Sequence, residues 1–256
     1  MDVQASTKVR INRWLPYWAV LQADVRQTLH SWVYRTWVLV TVLAALGYLL
    51  YRVGVYRGAG IIQSATTTLS DLLRWTVLGS ITLVVVLTAG SISSERGTMA
   101  DSVLSRGISR YQYFLGKWHA RLLVVLGTFL LMGALALAGG FFLHHEDLDL
   151  TGGLVALATV EAVLAVVVTC GVTASALANS TVLAIAVLWI ALYGAGFTLS
   201  LLPAHWASLD WALSNLPHIL RGDYDMEAQG RLIGWAALAC GAVALLGMLY
   251  FSRRDV

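Results

Sequence analysis

The chain has 256 residues, of which 58% are hydrophobic and 12% charged, with a mean hydropathy of +0.73 and a formal net charge of +3. Soluble domains hold roughly 45–50% apolar and about 25% charged residues, so water is not the main solvent of this chain. Six crossings of about 20 residues each leave no room for a sizeable soluble domain, and the basic balance becomes a matter of topology with no nucleic-acid partner implied.

Residues 1–35 are predicted to form a cytoplasmic N-terminus. Lys8, Arg10 and Arg13 mix there with polar residues, and no signal-peptide core or cleavage site follows, which predicts that the chain stays as synthesised. From about 16 to 34, Trp18, Leu21, Val25, Leu29 and Trp32 recur at spacings of three and four, with Gln22, Asp24, Arg26, Gln27 and Ser31 on other faces. The pattern reads as a helix on the inner membrane surface or as a helical extension of the first span, and Pro16 suits either start.

Long apolar runs predict an all-α polytopic membrane protein, one transmembrane domain over 1–256 with six spans at about 36–54, 75–93, 119–143, 154–177, 182–202 and 232–251. Cys170 and Cys240 lie inside these runs, fit no disulfide framework or metal-ligand spacing, and read as packing residues. The only sizeable cytoplasmic connection is 94–118. Within it Thr98 and Asp101 have the spacing of a capping box and Gly107 suits a helix end, which predicts a short helix at about 99–106 with Met99, Val103 and Leu104 on one face. Ser109 and Gln112 form a second capping box, starting a helix that runs into the third span. From Arg110 to Leu143 it would measure roughly 50 Å, longer than the hydrocarbon core, so its first turns project into the cytoplasm. A short cross-helix braced in this way can receive a push from a soluble partner; a solvated positive loop is the competing reading.

His144, His145, Glu146 and Asp147 read as a solvated outer turn, with a weak metal site as the other reading. Glu161 is the one ionisable residue well inside a span. An acidic residue at a helix centre costs about 2.5–3.5 kcal/mol on insertion scales, so Glu161 is expected to face protein or a cavity. It reads as a polar group in a pathway or proton-linked gate, or as a protonated carboxyl bonded to a neighbouring helix. The run 154–202 is too long for one helix, and Asn179-Ser180-Thr181 is its predicted hairpin. The outer segment 203–230 carries Trp206, Leu209, Trp211, Leu213, Leu216, Ile219 and Leu220, too many apolar residues to sit in water, with a break at Asn215-Leu216-Pro217. Gly171 with Ser175 and Gly230 with Gly234 have the spacing of close helix contacts.

Orientation follows from Lys and Arg, which divide twelve to five in favour of the side that holds the termini and the 94–118 loop. Both termini are therefore expected in the cytoplasm, with the chain in the cytoplasmic (inner) membrane.

The run Ile92-x-x-Glu95-x-Gly97-Thr98, then Leu104-Ser105, Ile108-Ser109-Arg110 and Gly116-Lys117, resembles the cytoplasmic loop of ABC-2 type permeases. Gly107-Ile108 stands where that family usually has a proline before the Ser-Arg pair. The resemblance extends to the interfacial helix, the six spans and the long outer segment before the last one. It implies that the loop contains a coupling helix docking on an ATP-binding subunit, with Glu95, Gly97, Thr98, Met99, Asp101, Val103, Leu104, Ser105, Arg106 and Arg110 as coupling residues. It further implies a permease subunit forming half of an export pathway, two such copies paired as a homodimer or a homologous heterodimer in membrane lipid, and two ATPase subunits. The outer segment resembles the short helices that cap the pathway in that family; plain interfacial packing is the other reading.

No G-x-x-x-x-G-K-[ST] occurs, nor H-E-x-x-H or G-x-S-x-G. The chain is accordingly expected not to be an enzyme and to bind no cofactor or metal itself, with ATP and Mg on the partner. An ion-gradient-driven secondary transporter, which would want discontinuous helices and repeated halves, or a non-transporting membrane scaffold are the alternatives.

Overall fold

The computed structural model describes residues 14–59, 64–95, 108–143, 147–201 and 209–253. All of their regular structure is helical: α1 (Leu15–His30), α2 (Trp32–Ala59), α3 (Ala65–Ala89), a 3-10 turn at Ser93–Glu95, α4 (Arg110–Leu143), α5 (Leu150–Leu177), α6 (Thr181–Leu201), α7 (Leu209–Ser214), α8 (Leu216–Leu220) and α9 (Met226–Arg253). Six of these, α2 to α6 and α9, are long and apolar enough to cross a membrane. The chain is a polytopic all-α protein.

Several ends differ from the hydropathy reading, each for a local reason. The second span begins at Ala65, ten residues before the expected position, because Ser64 caps it by accepting the Thr67 N–H. Asp71, which hydropathy places in a loop, sits on this helix, where it pairs with Arg52 at 2.8 Å and accepts the Tyr48 hydroxyl. The helical stretch at 16–34 is two helices. Ser31 is extended between them; its hydroxyl donates to Thr28 O at the end of α1 and accepts from Tyr34 N at the start of α2. The fourth span starts at Leu150, where the Asp149 carboxylate accepts the Gly152 N–H at 2.7 Å. The last starts at Met226, where Asp225 accepts the Glu227 N–H.

The α5–α6 hairpin turns at residues 178–180, where Ser180 Oγ accepts the Leu183 N–H. The Ser109 capping box forms as expected, with Gln112 N donating to Ser109 Oγ and Ser109 N to Gln112 Oε1. From it α4 runs unbroken to Leu143.

The centre of the bundle is α5, which touches α3, α4, α6, α8 and α9. Its buried residues join those of α3 and α4, including Val77, Val84, Phe129, Leu157 and Leu164, in one core. Close approach is set by small residues. A Cβ on Gly171 would run into the side chain of Thr88, one on Gly153 would meet Leu137, and one on Gly133 would meet Leu157. Gly230 and Gly234, by contrast, have open space before them, so their spacing does not mark a contact among the described residues.

The two ends of the bundle are built differently. At one end α7 and α8, interrupted at Asn215, cover the starts of α3 and α5, with Leu216, Ile219 and Leu220 buried. The chain approaches so closely there that a Cβ on Gly152 would collide with the Ile219 carbonyl, and Gly222 makes the return turn at φ +86°. At the opposite end, called here the root, α3 finishes beside the start of α4 and the ends of α5 and α9, and α1 is added on the outside.

Candidate functional site

At the root, α1 lies along the first half of α4. The contact requires Gly116, whose absent Cβ leaves room for Val20 and the backbone of Leu21. One turn on, Asp24 enters a nearly dry site at 1% exposure. The face of α1 that meets protein is thus Val20, Asp24 and Thr28, while Trp14, Leu15, Trp18 and Leu29 are exposed. The stripe of Trp18, Leu21, Val25, Leu29 and Trp32, read from sequence as the side toward the membrane surface, lies apart from this protein-facing side: Trp18, Leu29 and Trp32 are exposed, and two cations on α4 select Asp24.

Those cations are Lys117 and Arg121, one turn apart on α4 and almost fully buried. Lys117 Nζ donates to Asp24 Oδ1 at 2.9 Å and to Glu95 Oε1 at 2.6 Å. Arg121 Nη2 donates to Asp24 Oδ1 at 3.3 Å, and its Nε lies 3.1 Å from Oδ2 in an ionic contact that is not a hydrogen bond. The remaining oxygen of Glu95 accepts the Tyr113 hydroxyl at 2.6 Å, and Lys117 also sits over the Tyr113 ring. Two carboxylates and two cations balance to zero, which is the condition for burying any of them. Beside the network Tyr17 hydrogen-bonds His119 at 3.1 Å, and burial pushes the Tyr17 phenol up.

The network fastens three segments at one point: α1 through Asp24, the end of the second span through Glu95, and the root of α4 through Lys117, Arg121 and Tyr113. A second knot lies beside it. Ser175, fully buried near the end of α5, accepts the N–H groups of Ile92 and Ser93, both at 2.9 Å, and Ser93 Oγ meets Thr181 Oγ1 at the start of α6. Both knots flank the point where the chain enters 96–107 from α3. On the other side Arg110 Nη1 donates to Ser252 O at the end of α9, where a cation suits the helix dipole. Tyr113 and Phe114 stack against Phe251 there.

Of the residues expected to mark this region, Glu95 is in the network and Arg110, at the start of α4, bonds to the end of α9. Gly97, Thr98, Met99, Asp101, Val103, Leu104, Ser105 and Arg106 lie outside the described residues. Asp24, Lys117, Arg121 and Tyr113 were not singled out from sequence as a site, although Lys117 stands in the run that resembles the permease loop. The i, i+4 spacing of Lys117 and Arg121 was a visible signal, but their partners lie 93 and 97 positions away.

Glu161 stands apart from the root, in α5. Both its carboxyl oxygens are buried and have no hydrogen-bond partner among the described residues. The turn at His144–Glu146 is outside the described residues, and no group of three or more His, Cys, Asp or Glu side chains suited to a metal occurs among them. No protein-family model matches the chain, and no curated protein matches it.

Proposed function

We propose that the chain is the permease subunit of an ABC-type (ABC-2) exporter, driven by a separate ATP-binding subunit that docks on residues 96–107. The observation that carries the reading is the ionic knot of Asp24, Lys117, Glu95 and Arg121 at the mouth of that segment. A loop that only joined two spans would need no such anchorage. A loop that takes a mechanical load does, since force applied to it must reach helices rather than be lost in a compliant hinge. Through Glu95 a push would enter α3, through Lys117 and Tyr113 it would enter α4, and through Asp24 it would move α1. The Ser175 knot would pass the same motion to the α5–α6 hairpin.

In this reading the root faces the cytoplasm, α1 lies at the inner membrane surface with Trp14, Trp18 and Leu29 toward lipid, and α7 and α8 lie at the outer surface. The excess of Lys and Arg at the root supports the orientation. Two copies would form the pathway about a two-fold axis, each seated on one ATPase, and nucleotide would shift the pair only by its unequal affinity for the two states.

The test is affinity purification of the full chain in mild detergent followed by identification of bound proteins. An ABC-type ATPase is expected, with ATP hydrolysis stimulated in the complex and uncoupled by Glu95→Ala with Arg106→Ala. Recovery of the chain with no ATPase, or transport by the chain alone in vesicles with an ion gradient, overturns the proposal.

A further inference from the structure

Glu161 is half-buried on α5, with both carboxyl oxygens buried, and the root does not use it. Helix register shows what lies at its height. α9 runs parallel to α5, with Gln229 bonded to Thr159 and the Val243 carbonyl to Thr173, which brings Arg231 and Leu232 level with Glu161. α4 runs antiparallel, with Gly133 at Leu157 and Leu137 at Gly153, which brings Phe129 level. Thr88 and Leu188 both lie at Gly171, so the corresponding heights are Leu78 and Gly79 on α3 and Thr198 on α6. Arg231 is the one charged residue among these, and it is exposed and paired with Glu227 at 3.3 Å. Among the described residues, no other charge stands at the height of Glu161 on a helix packed against α5.

A carboxylate in such a place needs a cation, because no donor among the described residues compensates it. A metal ion requires several oxygen ligands and an ammonium group several acceptors, and among the described residues the buried oxygens of Glu161 have no hydrogen-bonding neighbour to share either. A proton requires no further ligand and no space. We infer that Glu161 is a proton-binding site, a carboxylic acid at neutral pH that gives up its proton only when α5 repacks so that water or Arg231 reaches it. The packing of the central helix is thereby tied to proton occupancy. This holds or fails for the chain alone, whether or not an ATPase drives it.

The test uses the purified full chain in lipid nanodiscs at pH 7. Infrared difference spectra of the native protein against E161Q are expected to show the carbonyl stretch of one protonated carboxyl, unchanged in R231Q. A carboxylate stretch from Glu161 at that pH, or a protonated band that appears only in R231Q, overturns the inference, the latter because Arg231 would then be the partner. A second measurement needs no variant. Dicyclohexylcarbodiimide, which is apolar, adds to a protonated carboxyl: the acid O–H crosses one C=N bond, its proton goes to nitrogen, no group leaves, and the adduct rearranges to a stable N-acylurea. Mass spectrometry is expected to find this adduct on the Glu161 peptide and none with a water-soluble carbodiimide. An unmodified Glu161 peptide counts against the proton site.

Discussion

Replacing Lys117 by methionine keeps the length of the side chain and removes its charge. In the native protein Lys117 Nζ lies 2.9 Å from Asp24 and 2.6 Å from Glu95, with side-chain exposures of 4%, 1% and 15%. Without it the knot holds two carboxylates and one guanidinium, so a net negative charge is left in a dry site. Breaking a buried pair from one side costs about 3–5 kcal/mol. Arg121 still faces Asp24 and Tyr113 still donates to Glu95, which puts the expected loss at the lower end, about 3 kcal/mol. At roughly 2–4 °C per kcal/mol for a chain of this size, the thermal midpoint falls by about 6–12 °C. The assay is heating in detergent followed by size-exclusion chromatography of the remaining dispersed protein, with hydrogen exchange of α1 amides as the local readout. Asp24→Asn is expected to be costly as well, and the double variant to be less costly than the sum, because each change relieves the charge the other leaves. A midpoint lowered by less than about 2 °C, or strictly additive losses, refutes the knot as a single buried unit.

Gly116→Ala is expected to loosen α1, since the new methyl would stand 2.8 Å from Val20 Cγ1; overpacking of this kind costs about 1–3 kcal/mol, and adding Val20→Ala is expected to restore most of the midpoint. Gly54→Ala, with nothing within 4 Å, is the control that does not lower stability. Ser175→Ala removes the acceptor of two buried N–H groups, an expected loss of about 1–3 kcal/mol, seen as faster exchange at Ile92 and Ser93. Asp149→Ala deletes the cap of α5 and is expected to lower stability by about 1 kcal/mol, with fraying confined to the first turn by hydrogen exchange.

The six crossings were readable because apolar runs of this length are a local property, and the Ser109 box and the α5–α6 hairpin were readable because caps and turns act over three or four residues. The start of the second span was not. Thr66, Ser70 and Asp71 look like loop residues until their partners are known, and those partners include Arg52 on another helix. The network at the root was not legible for the same reason. Trp18, Leu29 and Trp32 make the stronger amphipathic signal on 16–34, yet protein contact goes to Asp24 because charges nearly a hundred residues away neutralise it. Hydropathy weighs a residue by itself, whereas the burial of a charge is a property of a set. Glu161 was legible as an anomaly, and the register of α4 and α9 around it was not.

The distance along the chain between Asp24 and its cations has a consequence for biogenesis. Lys117 is made 93 residues after Asp24, so at about 5–20 residues per second the aspartate waits roughly 5–20 s for its counter-charge. During that interval α1 has no dry site to enter. Its docking is therefore a late assembly event that depends on insertion of the third span, and a chain stalled before that span would leave the N-terminal helix detached and open to proteolysis.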